Sequence, residues 1–291
     1  MSADAAEFSD ATLVLVGHGS TLNAESADPT HQHADELRRR GLFAEVLECF
    51  WKEHPMISGV LRGAFTPRVF IVPLFISDGY FTEQVIPREL GFCRNGESDF
   101  PRIQERVGQR LHYCGPVGTH SSMTGVILAR AREVMERTPA GASVCPPAPA
   151  ETALFIAGHG TGNNENSRKA IEQQAERIAA MGLYAETHAV FMEESPRIGD
   201  CYALARVPNL VMVPFFISDG LHSFEDIPVM LGEPESEVQA RLRAGRPTFP
   251  SPVERNGKRV WYSQGIGTEP LLADVIVERV RELAELPPPV R

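Results

Sequence analysis

Short apolar runs alternate with longer amphipathic segments along the chain. Four apolar runs of the first half predict strands, over residues 12–16, 44–50, 68–76 and 110–117. Helices are predicted after these runs, over residues 28–40, 55–64, 87–90 and 121–137. This order is typical of βαβ units, which predicts an α/β fold with a parallel sheet flanked by helices on both faces.

The second half repeats the first. Residues 13–91 align without a gap with residues 154–232, and 29 of the 79 aligned pairs are identical. The repeat predicts strands over 152–157, 185–191, 209–217 and 259–266. Its helices are predicted over 165–181, 196–206, 236–244 and 269–285. We therefore expect two homologous domains, each with a four-stranded parallel sheet, at 1–138 and 151–291, joined by a Pro/Ala-rich linker at 139–150.

One segment breaks the repeat. The offset between the halves grows from 141 to 149 after the third strand, so eight extra residues lie within 233–256. Its prolines at 247, 250 and 252 predict an irregular loop, with a lid as one interpretation.

Composition narrows the function classes. The 291 residues include 43% hydrophobic and 23% charged residues, as in ordinary globular proteins. The net charge of −10 argues against a nucleic-acid partner, and the short cluster Arg38–Arg40 is interpreted as a solvated helix end. No apolar run is long enough for a membrane span and the first residues lack a secretory signal, so no membrane contact and a cytoplasmic location are expected. The five cysteines form no C-x-x-C pair and are expected to be small buried side chains.

Candidate chemistry follows three predicted strands of the second half. His159 stands between two glycines after the first strand, Glu193 and Glu194 follow the second, and His222 follows the third. The carboxyl ends of parallel strands share one edge of a sheet, so these side chains are expected in one crevice. A single histidine between glycines is more often structural, but two imidazoles with a carboxylate suit a divalent metal ion or proton transfer.

Two nearby aspartates receive structural interpretations. Asp219 is expected to shape a turn, and Asp226 to cap a helix or to pair locally.

These motifs resemble a known family. The G-H-G after the first strand, F-x-E after the second and P-x-F-x-S-x-G-x-H-x-x-x-D-I-P after the third are similar to the class II tetrapyrrole chelatases, the CbiX-like sirohydrochlorin cobalt- and ferrochelatases. The resemblance implies a chelatase fold and ATP-independent insertion of Co²⁺ or Fe²⁺ into sirohydrochlorin, toward cobalamin or siroheme. It implies a tetrapyrrole partner and no organic cofactor. By the same resemblance, His159 and His222 handle the metal and Glu193 assists, with Glu194 as the neighbouring candidate.

The two halves differ at the candidate site. The aligned pairs are His18 with His159, Lys52 with Glu193, and Phe81 with His222. Because Lys52 and Phe81 cannot replace a carboxylate and an imidazole, we expect the working site in the second half, and the first half as the other wall of a substrate cavity. The chain would then be a monomer that mimics a homodimer, with a higher oligomer as the alternative. In a second interpretation, His18 contributes to a shared site, and Tyr80 and Phe81 form an apolar platform for the macrocycle.

Two alternative functions are considered. The first is a chelatase relative that binds metal or tetrapyrrole without turnover. The second, a histidine phosphatase, is disfavoured because that chemistry needs an arginine before the histidine, and Gly17 and Gly158 stand there. Ni²⁺ would suit the same ligands as Co²⁺ and Fe²⁺. Thr21 and Gly162 stand where relatives often carry an arginine, so the anchors for substrate carboxylates are open, with Arg168 and Lys169 as candidates. Of the other histidines, His31 and His33 are expected to be solvated, and four to be isolated: His54, His112, His120 and His188.

Overall fold

Two compact units make up the chain. The computed structural model describes residues 7–21, 26–97, 99–137, 146–160 and 165–285. Unit 1 consists of the residues up to His120 together with those from Pro270 onward, and unit 2 of Ser121–Glu269. Each unit contains one five-stranded sheet flanked by helices, so the predicted α/β class is confirmed.

Unit 1 is built on a sheet with the order β2-β1-β3-β5-β4. Its strands are β1 (Phe8–Gly17), β2 (Phe43–Phe50), β3 (Arg68–Pro73), β4 (Ile103–Arg106) and β5 (Gln109–Tyr113). The first three and β5 pair in parallel, whereas β4 pairs antiparallel with β5. Within residues 7–120, unit 1 contains the helices α1 (Asp28–Arg40), α2 (Ile57–Val60) and α3 (Ile86–Glu89), the last preceded by a π-helix at Phe81–Val85.

Unit 2 repeats this design with the order β7-β6-β8-β10-β9. Its strands are β6 (Thr152–Gly158), β7 (Glu186–Phe191), β8 (Asn209–Pro214), β9 (Val253–Arg255) and β10 (Lys258–Tyr262). Its helices are α4 (Met123–Glu136), α5 (Glu165–Met181), α6 (Cys201–Leu204), α7 (Ile227–Met230) and α8 (Glu235–Arg243). A π-helix at His222–Asp226 precedes α7, as its counterpart precedes α3.

The expectation of four parallel strands per sheet needs a correction. Each sheet has a fifth, antiparallel edge strand that forms a hairpin with the last parallel one. These strands have only three or four residues, too short for a clear hydrophobic pattern. The hairpin turn of unit 2 is Asn256–Gly257, with φ of 50° and 72°, a signal that sequence reasoning missed.

The units exchange their last helices. Helix α4 packs on β8 and β10 of unit 2, although it follows the strands of unit 1 in sequence, and α9 (Leu272–Ala284) packs on β3 of unit 1. Arg130 of α4 donates to the Gly265 carbonyl at 3.1 Å, and Arg279 of α9 donates to the Pro116 carbonyl at 2.9 Å. The compact units therefore differ from the predicted domains 1–138 and 151–291. Of the predicted linker, residues 139–145 lie outside the described residues.

Several segments differ from their predicted form. The expected helices over 55–64 and 196–206 are shorter in the structure: α2 is followed by a 3₁₀ turn at Leu61–Gly63, and α6 is preceded by one at Ile198–Asp200. The 233–256 segment contains the predicted helix as α8 and, in addition, the edge strand β9. Residues 244–252 between them, which include the three prolines, form no helix or strand, as predicted, and the lid stays a prediction. Val238 of α8 is fully buried, and Glu233 is bound by Arg241 and Arg255.

Histidine environments also differ from expectation. His33 is buried rather than solvated, whereas His31 is exposed and lies 3.4 Å from Glu48. Two histidines expected to be isolated have carboxylate neighbours: His120 lies 3.1 Å from Glu282, and His188 lies 3.2 Å from Glu186. His112 is buried in unit 1 and His54 is exposed.

The described cysteines are all free. Cys49, Cys114 and Cys201 are buried, as expected, and burial raises the pKa of each thiol to about 12. Cys93 is partly exposed, and Cys145 lies outside the described residues. Among the helices of the described segments, none is both long enough and apolar enough to cross a membrane.

Candidate active site

A tight turn at the end of β6 presents His159. Strand β6 ends at Gly158, where an added Cβ would lie 1.9 Å from Ile171 Cδ1 of α5. Gly160 adopts a left-handed φ of 63°, which favours glycine. Gly158 therefore lets α5 pack closely against the end of β6, and Gly160 lets the backbone turn directly after His159, whose side chain is 29% exposed.

The second imidazole comes from the π-helix after β8. His222 is the first residue of that helix, and its ring centroid lies 5.0 Å from that of His159. The two ring planes are inclined at 83°, and the His222 side chain is 48% exposed. The two predicted histidines thus meet at the carboxyl edge of the sheet and remain open to solvent.

Glu193 lies beside His159. The Glu193 amide donates to the His159 carbonyl at 3.1 Å, and the Met192 amide donates to the Gly158 carbonyl at 3.0 Å. These bonds hold the chain after β7 along the chain after β6. As a result Glu193 Oε1 lies 3.8 Å from His159 Nδ1, while the carboxylate remains largely exposed.

Glu194 faces another direction. Its Oε2 accepts a bond from Arg168 Nη1 at 2.9 Å, and that bond is the main cause of the raised pKa of Arg168. Arg168 also bonds Glu172, and Lys169 bonds Glu165 at 2.8 Å. Of the two glutamates, Glu193 is the one beside an imidazole, and both predicted cationic anchors are engaged by carboxylates of their own unit.

The two aspartates have different surroundings. Asp219 accepts the Gly265 amide at 2.9 Å, which links the loop after β8 to the loop after β10, and burial raises the pKa of this carboxyl. Its turn-shaping role stays a prediction. Asp226 instead bonds His222: its Oδ2 lies 2.7 Å from Nδ1 of the ring. Sequence reasoning anticipated a local pair here but gave it no part in the site, although the spacing of four residues was a usable signal.

The corresponding position in unit 1 is aromatic. His18 has its Nδ1 2.8 Å from the Gly19 carbonyl, and its ring lies 5.1 Å from that of Phe81. Phe75 stacks on Phe81 at 5.9 Å, and Trp51 contacts it at 6.4 Å. Lys52 is exposed. The role of these residues as a substrate wall or platform stays a prediction.

The imidazole pair is open rather than a closed metal cage. Within the described ranges, no three or more His, Cys, Asp or Glu side chains are grouped closely enough to hold a metal ion. Two imidazoles with carboxylates on their Nδ1 sides can bind a divalent cation and still leave positions for another ligand. Such an arrangement suits a metal ion in transit.

Comparison with known proteins gives a family match. The CbiX family profile matches the chain twice, over residues 12–134 and 153–283. The chain is 43% identical over 280 residues to a probable sirohydrochlorin cobaltochelatase from Halobacterium salinarum, with 93% of this chain and 90% of that protein covered. It is 30% identical over 138 residues to a sirohydrochlorin cobaltochelatase from Methanopyrus kandleri, covering 45% of this chain and 95% of that protein. A relative of that size corresponds to one half of this chain.

Solved structures share the fold. A multi-domain protein from Deinococcus radiodurans, described as structurally similar to chelatases, has a TM-score of 0.72 and 30% identity; the alignment covers 92% of this chain and 54% of that protein. SirB from Bacillus subtilis has a TM-score of 0.63 at 16% identity, over 94% of this chain and 96% of SirB. At that identity the second match is evidence of the fold alone.

Proposed function

This chain belongs to the CbiX family, and on that premise we propose that it is a metal chelatase that inserts Co²⁺ or Fe²⁺ into sirohydrochlorin or a related tetrapyrrole. The reaction would serve cobalamin or siroheme synthesis and would need neither ATP nor an organic cofactor. We assign the chemistry to His159, Glu193 and His222 of unit 2.

The perpendicular imidazole pair is the observation that supports this proposal most directly. Neutral imidazole nitrogen is a good ligand for first-row divalent ions, and two rings 5.0 Å apart can engage one ion together. Their partial exposure leaves room for a macrocycle to approach the same ion. The equivalent position in unit 1 has Phe81, which can neither bind a metal ion nor accept a proton.

Insertion exchanges one M²⁺ for two pyrrole N–H protons. In the proposed order of steps, the cation first binds the two imidazoles. The carboxylates of Glu193 and Asp226 together balance its two positive charges. The macrocycle nitrogens then replace the imidazoles on the metal. Each imidazole freed in this way can accept one displaced proton, because histidine is a common proton acceptor in catalysis near neutral pH. Glu193, which is largely exposed, can pass that proton to solvent.

The choice of metal is the finer part of the proposal. Imidazole and carboxylate ligands accept Fe²⁺, Co²⁺ and Ni²⁺, with affinity rising in that order, so availability contributes to selection. The names of the Halobacterium and Methanopyrus relatives support Co²⁺ as the first ion to test.

Metal insertion can be followed by the change in absorption of the macrocycle. We expect the purified protein to accelerate insertion of Co²⁺ or Fe²⁺ into sirohydrochlorin over the uncatalysed reaction. His159→Ala and His222→Ala should each lower the rate by about 10²-fold or more, in the range found for loss of a positioned proton acceptor. His54→Ala, which removes an exposed histidine of unit 1, should have no effect.

Two outcomes separate the alternatives. Full activity in both site variants would overturn the residue assignment. Tight stoichiometric binding of metal or macrocycle without acceleration would instead favour a carrier protein. A Phe81→His variant should insert metal no faster than the wild type. The reason is that unit 1 would still have Lys52 at the position of Glu193.

A further inference from the structure

We propose that Asp226 is a positioning residue that holds His222 in the Nδ1–H tautomer, so that its Nε2 lone pair is presented to the metal ion. The proposal deepens the function proposed above and rests on it for the role of the metal. It begins from the 2.7 Å contact between Asp226 Oδ2 and His222 Nδ1.

The chemistry of the two groups sets the direction of the bond. An ionised carboxylate has only acceptor atoms, so the imidazole nitrogen that faces it must be the donor. A neutral imidazole has one N–H, and when Nδ1 carries it, Nε2 holds the free lone pair. A carboxylate on the far side of a metal-binding histidine fixes the ring and raises its basicity as a ligand, and its loss commonly costs 10-fold to 100-fold in metal affinity or activity.

Unit 1 provides an internal comparison. Its π-helix at Phe81–Val85 has the same length and sequence position as the one at His222–Asp226. Val85 is the counterpart of Asp226 and is buried, so the π-helix of unit 1, which begins with Phe81 instead of a histidine, also lacks the carboxylate at its end. Because the π-helix forms with valine at this position, the backbone does not need Asp226. The carboxylate is therefore tied to the imidazole rather than to the turn.

The inserted helix α8 supports the same turn. Gln239 of α8 donates to Glu225, the residue before Asp226, and fully buried Val238 anchors α8 to unit 2. Among the described residues of the corresponding segment in unit 1, between 92 and 102, no helix occurs. The extra helix thus accompanies the unit that has the histidine and aspartate pair, and it restrains the turn that carries both.

The tautomer can be measured directly by ¹⁵N NMR of the metal-free protein, at a pH where the ring is neutral and with the His222 signals assigned from a His222→Gln variant. We expect the wild type to show protonated Nδ1 and unprotonated Nε2. Asp226→Ala should shift the ring to a mixture of tautomers, while Asp226→Asn should largely retain Nδ1–H because its amide oxygen still accepts. Glu235→Ala, which removes an exposed carboxylate at the start of α8, is the matched charge control.

Metal binding supplies the second measurement. Titration with Co²⁺ alone should show 10-fold to 100-fold weaker binding for Asp226→Ala, a smaller loss for Asp226→Asn and none for Glu235→Ala. Thermal melting of each variant checks that it is folded. The proposal is overturned if Asp226→Ala keeps the Nδ1–H tautomer, or if its Co²⁺ affinity equals that of Glu235→Ala. Failure of insertion by the wild type would count against the chelatase function alone, because the tautomer is read without substrate.

Discussion

Replacing His112 by phenylalanine should make unit 1 less sensitive to acid. His112 lies on β5 with 2% of its surface exposed, and its ring centroid is 4.4 Å from that of Phe70. Burial, together with the positive charges of Arg110 and Arg68, lowers the pKa of His112 from 6.5 to about 4. The imidazole is therefore neutral in the folded protein at pH values where the unfolded chain would protonate it.

The sign and size of the effect follow from proton linkage. Between pH 6.5 and about 4 the unfolded state binds more protons at this site, so the free energy of unfolding falls as the pH falls. This contribution is intact above pH 6.5, and its loss is complete below about pH 4. A displacement of roughly 2.5 pKa units corresponds to about 3 kcal/mol, of which about 2 kcal/mol is lost by pH 5.

Urea unfolding at pH 7.5 and pH 5 would test this. The chain has two tryptophans, Trp51 in unit 1 and Trp261 in unit 2, so a Trp261→Phe background leaves Trp51 to report on unit 1. In that background, the parent should lose about 2 kcal/mol more than His112→Phe between the two pH values. His54→Ala, in which the histidine removed is exposed, should behave like the parent.

The comparison is a difference of differences, so the cost of Trp261→Phe and the titration of other groups cancel. Equal losses for the parent and His112→Phe would refute the reasoning. A larger loss in the phenylalanine variant would mean that His112 is protonated and stabilising in the folded protein.

Two further predictions concern the backbone. Val107 has a φ of 45° in the hairpin turn of unit 1, at the position where unit 2 has Asn256, and a β-branched residue is strained in that conformation. Val107→Asn should therefore raise the free energy of unfolding by about 1 kcal/mol in urea titrations. An unchanged free energy of unfolding would contradict the strain. An added Cβ at Gly267 would lie 1.5 Å from the Ile217 carbonyl oxygen, so Gly267→Ala should abolish cooperative unfolding of unit 2 as followed by circular dichroism. Gly125→Ala on α4 is its control, because an added Cβ there would meet no atom within 4 Å beyond its chain neighbours and the adjacent helix backbone. This variant should be neutral or stabilising by up to about 1 kcal/mol. Normal folding of Gly267→Ala would show that the loop can relax.

The duplication, the α/β class and the approximate site could be predicted from the sequence. Apolar runs mark parallel strands, and the carboxyl ends of parallel strands share one edge of a sheet, so His159, Glu193 and His222 had to lie near one another. The comparison of aligned positions then favoured the second half, since Phe81 cannot act as an imidazole.

Other features depended on tertiary structure. Helical periodicity shows which face of α4 or α9 is apolar, but either sheet could cover that face, and the two helices are exchanged between the units. For the same reason His33, in a polar stretch of α1, could not be recognised as buried. The edge strands were too short for their pattern to be read.

The sequence by itself therefore determined which residues stand at the strand ends, because that depends on local pattern and on the geometry common to parallel sheets. Only the tertiary structure decided that Glu193 rather than Glu194 lies beside His159, and that Asp226 bonds His222. Those choices depend on side-chain directions set by the turns after β7 and β8, and adjacent residues in such turns point to different neighbours.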